Sequence, residues 1–286
     1  MTTKPTWREL LARETPLVLP GAHDALSARL IEMAGFAAYV IGGYPVVGAR
    51  YALPDIGLCA LGEISAGIRD IMAASPLPVL IDADTGYGDV KNVTRTIQLY
   101  EGMGASAIFI EDQVAPKRCG HMDGKAVIPV EAMEQKIRAA AAARRSKDTF
   151  LIARTDARAT EGLDGALGRG ERYIRAGADG LFVEAPLSVK ELETIGRAFD
   201  VPQFCNMLTA GRTPILTNRE LHDMGFAMVV HGINLVMCVA KTMQEALAEI
   251  KADRAVDNGK RAVSFDEFKR ITRYADWVAL EDRFHG

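Results

Sequence analysis

The sequence has no closely spaced cysteines, no long apolar run and no excess of positive charge. Its four cysteines, Cys59, Cys119, Cys205 and Cys238, lie far apart with no C-x-x-C pair among them. That argues against a disulfide frame and fits reduced thiols in a cytoplasmic setting. No apolar stretch approaches the roughly 20 residues needed to cross a bilayer. The opening MTTKPTWRELLARE lacks the apolar core of a signal peptide, so neither export nor a membrane partner is expected. A net charge of −3 leaves no general basic face, which argues against nucleic acid as a partner. Positive charge that meets an acidic small molecule must therefore be local.

What is present is ordinary for a globular chain: 286 residues, 49% hydrophobic and 25% charged. Short apolar runs alternate with amphipathic stretches throughout. The spacing predicts strands at 16–20, 37–43, 78–84, 107–111, 150–156, 180–184, 203–207 and 227–231. Helices are expected between them at 25–34, 64–74, 90–103, 131–145, 164–176 and 189–199. Four times a helical stretch ends at a glycine that leads into a strand: MAGFAAYV, GMGASAIF, RAGADGLF and MGFAMVV. Gly35, Gly104, Gly177 and Gly225 are then expected as left-handed caps. Strands and helices in this alternation predict a single (β/α)8 barrel domain over 1–286, with an open doubly wound sheet as the alternative. A long helix over 233–255 and, after the polar break at Asp257, Asn258 and Gly259, another over 265–284 exceed the barrel's needs. Residues 256–286 read as a C-terminal helical extension that packs on the barrel or on a neighbouring subunit.

The chemistry gathers where strands end. The run Ile108–Ile110 delivers Glu111 and Asp112, and a loop follows that crowds Lys117, Arg118, Cys119, His121 and Lys125. Cations beside a thiol lower its pKa, so Cys119 is a candidate acid or nucleophile on a loop able to close. The third strand ends Asp82-Ala83-Asp84, and residues two apart on a strand point the same way. With Glu111 from the next strand, three carboxylates would share one rim. Ionised groups out of water need partners, and an all-oxygen set suits Mg²⁺ or Mn²⁺ better than Zn²⁺. Helix caps or salt bridges would account for the same acids. Arg154 is placed to clamp a substrate carboxylate, or to pair with Glu111 or Glu184. Glu184 and Asn206 end the sixth and seventh strands. His231 ends the eighth and either faces the site or is structural.

These residues carry a resemblance. LPDIG at 53–57, DADTGYG at 82–88, IEDQ at 110–113, PKRCGH at 116–121, ARTDA at 153–157 and EA at 184–185 together resemble the isocitrate lyase/phosphoenolpyruvate mutase superfamily along nearly the whole chain. The short length and the KRCGH loop are similar to the branch of 2-methylisocitrate lyase and dimethylmalate lyase. The resemblance implies a barrel whose terminal helix is exchanged between subunits, in a tetramer. It implies Mg²⁺ held by Asp84, with Asp82 and Glu111 acting largely through water. It places Asp55, Arg154, Glu184 and Asn206 at substrate or metal positions, and Cys119 as the general acid of a loop that also carries His121. The implied reaction is cleavage of a C–C bond in a substituted 2-hydroxy di- or tricarboxylate, releasing an α-keto acid. A carboxyphosphonoenolpyruvate- or phosphonopyruvate-type mutase, an oxaloacetate hydrolase or decarboxylase, and an inactive binding protein are the alternatives.

Two departures from the family pattern stand out. Ile41 precedes Gly42-Gly43-Tyr44 where a hydroxyl residue is usual, leaving the amides of Gly42 and Gly43 for a substrate carboxylate. The eighth strand reads His231-Gly232-Ile233-Asn234. Tyr44 and His231 are therefore expected to reshape the substrate pocket.

Overall fold

A computed structural model of the chain describes residues 4–209, 211–256 and 261–285. It runs α1 (Trp7–Arg13), β1 (Leu17–Pro20), α2 (Ala25–Met33), β2 (Tyr39–Ile41), α3 (Gly43–Tyr51), α4 (Leu61–Ala74), β3 (Val79–Asp82) and α5 (Val90–Gly102). There follow β4 (Ala107–Glu111), α6 (Val130–Ala143), β5 (Phe150–Thr155), α7 (Arg158–Arg175), β6 (Gly180–Val183) and α8 (Val189–Gly196). The remainder is β7 (Gln203–Asn206), α9 (Asn218–Asp223), β8 (Met228–His231), α10 (Asn234–Lys251), α11 (Phe265–Ile271) and α12 (Tyr274–His285). The chain divides into two compact units between Leu235 and Val236.

The first unit is the expected (β/α)8 barrel. All neighbouring strands pair in parallel, in the order β1-β8-β7-β6-β5-β4-β3-β2. A bridge from Gly21 to Val40, with the Ala22 amide donating to the Val40 carbonyl at 2.9 Å, brings β1 back against β2. The open sheet is thereby excluded. The four predicted cap glycines all have positive φ, from 83° at Gly35 to 113° at Gly177. This is the left-handed turn that glycine adopts without a Cβ penalty.

Strand alternation separates two cores. Leu80, Phe109, Ile152, Phe182, Phe204 and Val230 point into the barrel. Ile81, Ile108, Leu151, Leu181 and Val229 face the helices. The short α1, which periodicity did not flag, begins with a Thr6–Glu9 capping box. It buries Trp7 and Leu10 in the inner core together with the first residues of several strands, and so stoppers that end of the barrel. Helices α3 and α9, of nine and six residues, also went unpredicted, because each holds too few turns to establish a period.

In the second unit the structure corrects the expectation of one helix over 265–284. Thr272 bonds back to the Phe268 and Lys269 carbonyls, and Arg273 adopts φ 58°, so the segment breaks into α11 and α12. The break expected at Asp257–Gly259 lies outside the described residues. No residue of α10 or α12 is buried, and Cys238 on α10 is exposed. Cys205 is buried, while Cys59 is half-buried. Among the described residues no helix is long and apolar enough to cross a membrane.

Trp7→Ala removes the largest side chain of the stopper. It is expected to lower the unfolding free energy by about 3–5 kcal/mol, read from urea denaturation of the two proteins. A change below 1 kcal/mol would show that α1 is dispensable to the barrel.

Candidate active site

The inner-facing positions continue past the apolar core to the C-terminal ends of the strands. Asp82 follows Leu80, Glu111 follows Phe109, Arg154 follows Ile152, Glu184 follows Phe182, and Asn206 follows Phe204, each at a step of two. The sequence thus converges these groups by parity, at the end where barrel enzymes place their chemistry. A cavity of about 70 Å³ opens there, and of these groups Asp82, Arg154, Glu184 and Asn206 line it with Asp55, Lys117 and Cys119.

Arg154 is the hub. Its Nε lies 2.9 Å from Asp156 Oδ2 and 3.3 Å from Glu111 Oε2, and its Nη2 lies 3.2 Å from Glu184 Oε2. Both readings of Arg154 are thus partly met, since it lines the cavity while already paired. Burial opposes the charge of Asp156, but Arg154 and Lys125 hold its carboxyl down to about 2. Glu184 is likewise held below the usual range by Arg154 and His121 against the effect of burial. Glu111 goes the other way, because burial outweighs Arg154 and raises it well above the ordinary value. Burial and the charge of Asp84 push Asp82 up to about 7.

The loop after β4 folds over this rim. Its two stems pair, with the Val114 amide on the Ala126 carbonyl at 2.8 Å and the Ile128 amide on the Asp112 carbonyl at 2.9 Å. The Gln113 side-chain amide clamps Arg118, donating to its carbonyl at 2.8 Å and accepting its amide at 3.0 Å. Lys117 reaches Asp55 at 2.6 Å and Asp84 at 2.7 Å. Lys125 binds Asp156 at 2.7 Å and also the Gly120 carbonyl. His121 accepts the Arg212 amide on Nδ1 at 3.0 Å, so its ring proton sits on Nε2, which faces Glu184 Oε1 at 3.2 Å. Gly120 must be glycine here, because a Cβ would collide with Arg154 and Glu184.

That pairing corrects the expected effect on Cys119. Lys117 and Lys125 are spent on carboxylates, and Arg118 turns to the Asp123 carbonyl. Burial and the neighbouring Glu184 therefore outweigh Arg154 and the His121 amide, and the thiol is raised above its ordinary value. Cys119 stays protonated at neutral pH, which suits an acid and not a nucleophile.

Several expected positions are filled differently. Asp112, one step out of phase with Glu111, points behind the sheet. It accepts from Thr155 and from Tyr173, each at 2.7 Å, and from the Asp156 amide at 2.9 Å. His231 is out of phase with Val230 and does not line the cavity. Its Nε2 meets Asn218 Oδ1 at 3.0 Å, while Gly232 and Ile233 line the cavity instead. Tyr44 does line it, but the Gly43 amide is taken by Asp82 Oδ2 at 3.2 Å. Gly42 has no capping side chain, so the N-terminus of α3 opens on the cavity.

Asp82, Asp84 and Glu111 do not form a closed set of ligands. Among the described residues no three acids, histidines or cysteines are gathered as a metal site. Asp82 accepts amides of Gly43 and Asp84, Asp84 sits on Lys117, and Glu111 on Arg154. The charge balance nevertheless fits a cation. Five carboxylates, Asp55, Asp84, Glu111, Asp156 and Glu184, share the three cations Lys117, Lys125 and Arg154, while Asp82 accepts from the amides of Gly43 and Asp84. Glu111 Oε1 is buried with no hydrogen-bond partner among the described residues. Ionising such a buried carboxyl is costly until something positive reaches it.

Comparison with known proteins agrees with this architecture. The phosphoenolpyruvate phosphomutase family matches residues 7–251. The chain is 40% identical to 2,3-dimethylmalate lyase of Eubacterium barkeri, over 98% of this chain and 96% of that one. It is 38% identical to the chloroplastic carboxyvinyl-carboxyphosphonate phosphorylmutase of Arabidopsis thaliana, over 97% and 84% of the two chains. Among solved structures, oxaloacetate acetylhydrolase with the inhibitor 3,3-difluorooxalacetate superposes with a TM-score of 0.92 at 28% identity, covering 98% and 96%. Phosphonopyruvate hydrolase with oxalate and Mg²⁺ superposes at 0.86 and 28% identity, covering 98% of each chain. With its barrel, its rim of acids and its thiol-bearing loop, the chain belongs to the isocitrate lyase/phosphoenolpyruvate mutase superfamily.

Proposed function

We propose that the protein is a divalent-cation-dependent lyase that cleaves a C–C bond in a 2-hydroxy di- or tricarboxylate and releases an α-keto acid. The observation that carries this reading is a thiol kept protonated and lining the same cavity as Arg154. The C–C bond breaks as the hydroxyl loses its proton to a carboxylate of the rim; cleavage leaves a carbanion beside a carboxylate, and that carbanion needs a proton. Cys119 Sγ supplies the proton, and Arg154 holds the carboxylate on which negative charge builds. The open N-terminus of α3 receives the carboxylate of the 2-hydroxy acid end. The loop that bears Cys119 excludes water, so the carbanion is quenched by the thiol and not by solvent. Asp84, with Asp82 and Glu111 through water, would hold Mg²⁺ or Mn²⁺. When bound, the cation supplies Lewis-acid polarisation of the hydroxyl and carboxylate oxygens. The thiol must stay reduced to act, which fits a cytoplasmic setting.

A phosphonate mutase is the second reading, supported by the phosphomutase family match and by the plant phosphorylmutase. Phosphorus NMR of a phosphonopyruvate incubation separates the two, since a lyase leaves the P–C resonance unchanged.

We further propose that the second unit mediates assembly, as in a helix-exchanged tetramer. Its helices expose Met243, Leu247 and Ile250 on α10 and Trp277 and Phe284 on α12, the last two at 68% and 70%. On the barrel, α2 exposes Leu26, Leu30 and Met33 along one face. Apolar surface of this extent is normally covered by a partner.

Three outcomes are expected. Cys119→Ser lowers turnover by roughly 10²–10⁴-fold, with the melting temperature and metal affinity nearly unchanged; near-normal keto-acid release from that variant removes the acid role. Titration calorimetry shows Mg²⁺ binding that Asp84→Ala abolishes while the protein remains folded; undiminished binding by the variant places the cation elsewhere. Light scattering gives a mass of more than one chain, and Trp277→Glu reduces it; a monomeric wild-type protein rules out the assembly.

A further inference from the structure

The rim of the barrel holds the loop after β4 through Lys117, Lys125 and His121, but the tip of that loop has a second grip that the reaction scheme leaves unused. Arg212 stands on the loop between β7 and α9. Its amide donates to His121 Nδ1 at 3.0 Å, its Nε donates to the His121 carbonyl at 3.1 Å, and its Nη2 pairs with Asp123 Oδ1. A guanidinium presents its donors in one rigid plane. His121 and Asp123 are therefore fixed relative to each other as well as to Arg212.

The chain is shaped for this approach on both sides. A Cβ at position 211 would lie 2.8 Å from His121 Nδ1, so only glycine lets the β7 loop come so close. The Gly211 amide donates to the Leu208 carbonyl at 3.0 Å, and Leu208 lines the cavity. Both feet of the β7 loop are anchored. The Met207 amide donates to the Val230 carbonyl at 2.7 Å, and Asn218, the first residue of α9, meets His231 Nε2 at 3.0 Å. On the opposite loop the Met122 amide closes a turn on the Cys119 carbonyl at 2.9 Å, and the His121 amide donates to the Cys119 thiol. Whatever fixes His121 therefore fixes the amide that meets the sulfur. One loop gives the cavity Leu208, the other gives it Cys119, Gly120 and His121, and Arg212 joins the two.

We infer that Arg212 is a positioning residue that binds the loop after β7 to the tip of the loop after β4, so that the two move as one lid and seat the thiol together. Its effect on turnover rests on the lyase reading, whereas the joining of the loops does not. The Arg212–Asp123 pair is part exposed, and such pairs add little to folding. Its role is to set where the tip sits. Without the clasp, Lys117 and Lys125 stay on their carboxylates, but the stretch between them, which carries Cys119 and His121, loses its hold on the β7 side.

Hydrogen exchange of the full chain, followed by mass spectrometry without any ligand, tests the joining. Arg212→Ala is expected to speed exchange by ~10-fold or more across 117–125, on the loop that carries no substitution. The reciprocal variant Asp123→Ala, at a side chain 91% exposed, is expected to speed exchange across 207–216 while the melting temperature stays unchanged. Unchanged exchange on the unsubstituted loop in either variant overturns the joining. In keto-acid release, Arg212→Ala is expected to lower kcat by roughly 10–100-fold with a smaller change in KM, because the thiol is misplaced while the rim still binds. A normal kcat in that variant, whether or not KM rises, overturns the positioning role. Absence of keto acid from the wild-type protein defeats the lyase reading and leaves the exchange measurement to decide the joining by itself.

Discussion

A guanidinium buried at the mouth of the barrel is the constraint on which the rest of the structure depends. Arg154 is 7% exposed and touches Asp156, Glu111 and Glu184 at once. Without it, several carboxylates would be stranded in a low-dielectric rim, and each would cost several kcal/mol to keep ionised. With it, Asp156 and Glu184 stay charged and orient Lys125 and His121. Those two groups tether the tip of the loop, and the tip carries Cys119. The thiol's position over the cavity is thus a consequence of one strand-end arginine, transmitted through the Asp156–Lys125 ion pair, the Glu184–His121 contact and a glycine too small to intrude.

The same network explains why the thiol remains a thiol. A loop rich in lysine and arginine suggests an activated thiolate when only the chain is considered. In three dimensions each loop cation has a closer claim, on Asp55 and Asp84, on Asp156, or on the Asp123 carbonyl. What the sulfur experiences is burial and Glu184. Local composition set the wrong sign because the charges that cancel the loop lysines, Asp55, Asp84 and Asp156, come from three places far away in the chain.

The barrel was legible because its signals are short-range. Cap glycines, a step of two along each strand and the alternation of elements all sit within a few residues of one another. The same step of two brought Asp82, Glu111, Arg154 and Glu184 to one rim. Where phase was not applied, the sequence misled. Asp112 and His231 each lie one residue off the inner face, and both turn to partners behind the sheet. The expected three-acid cation cage was not legible in its detail, since Gly43, Lys117 and Arg154 each occupy one of the acids. Helices α1, α3 and α9 escaped notice because seven, nine and six residues hold too few turns to establish a period.

The stopper at the opposite end has its own consequence. Because Trp7 and Leu10 are buried among the first residues of the strands, the barrel interior is closed at that end among the described residues. A ligand resting on the strand-end rim therefore has the side of the β4 loop as its way in and its way out.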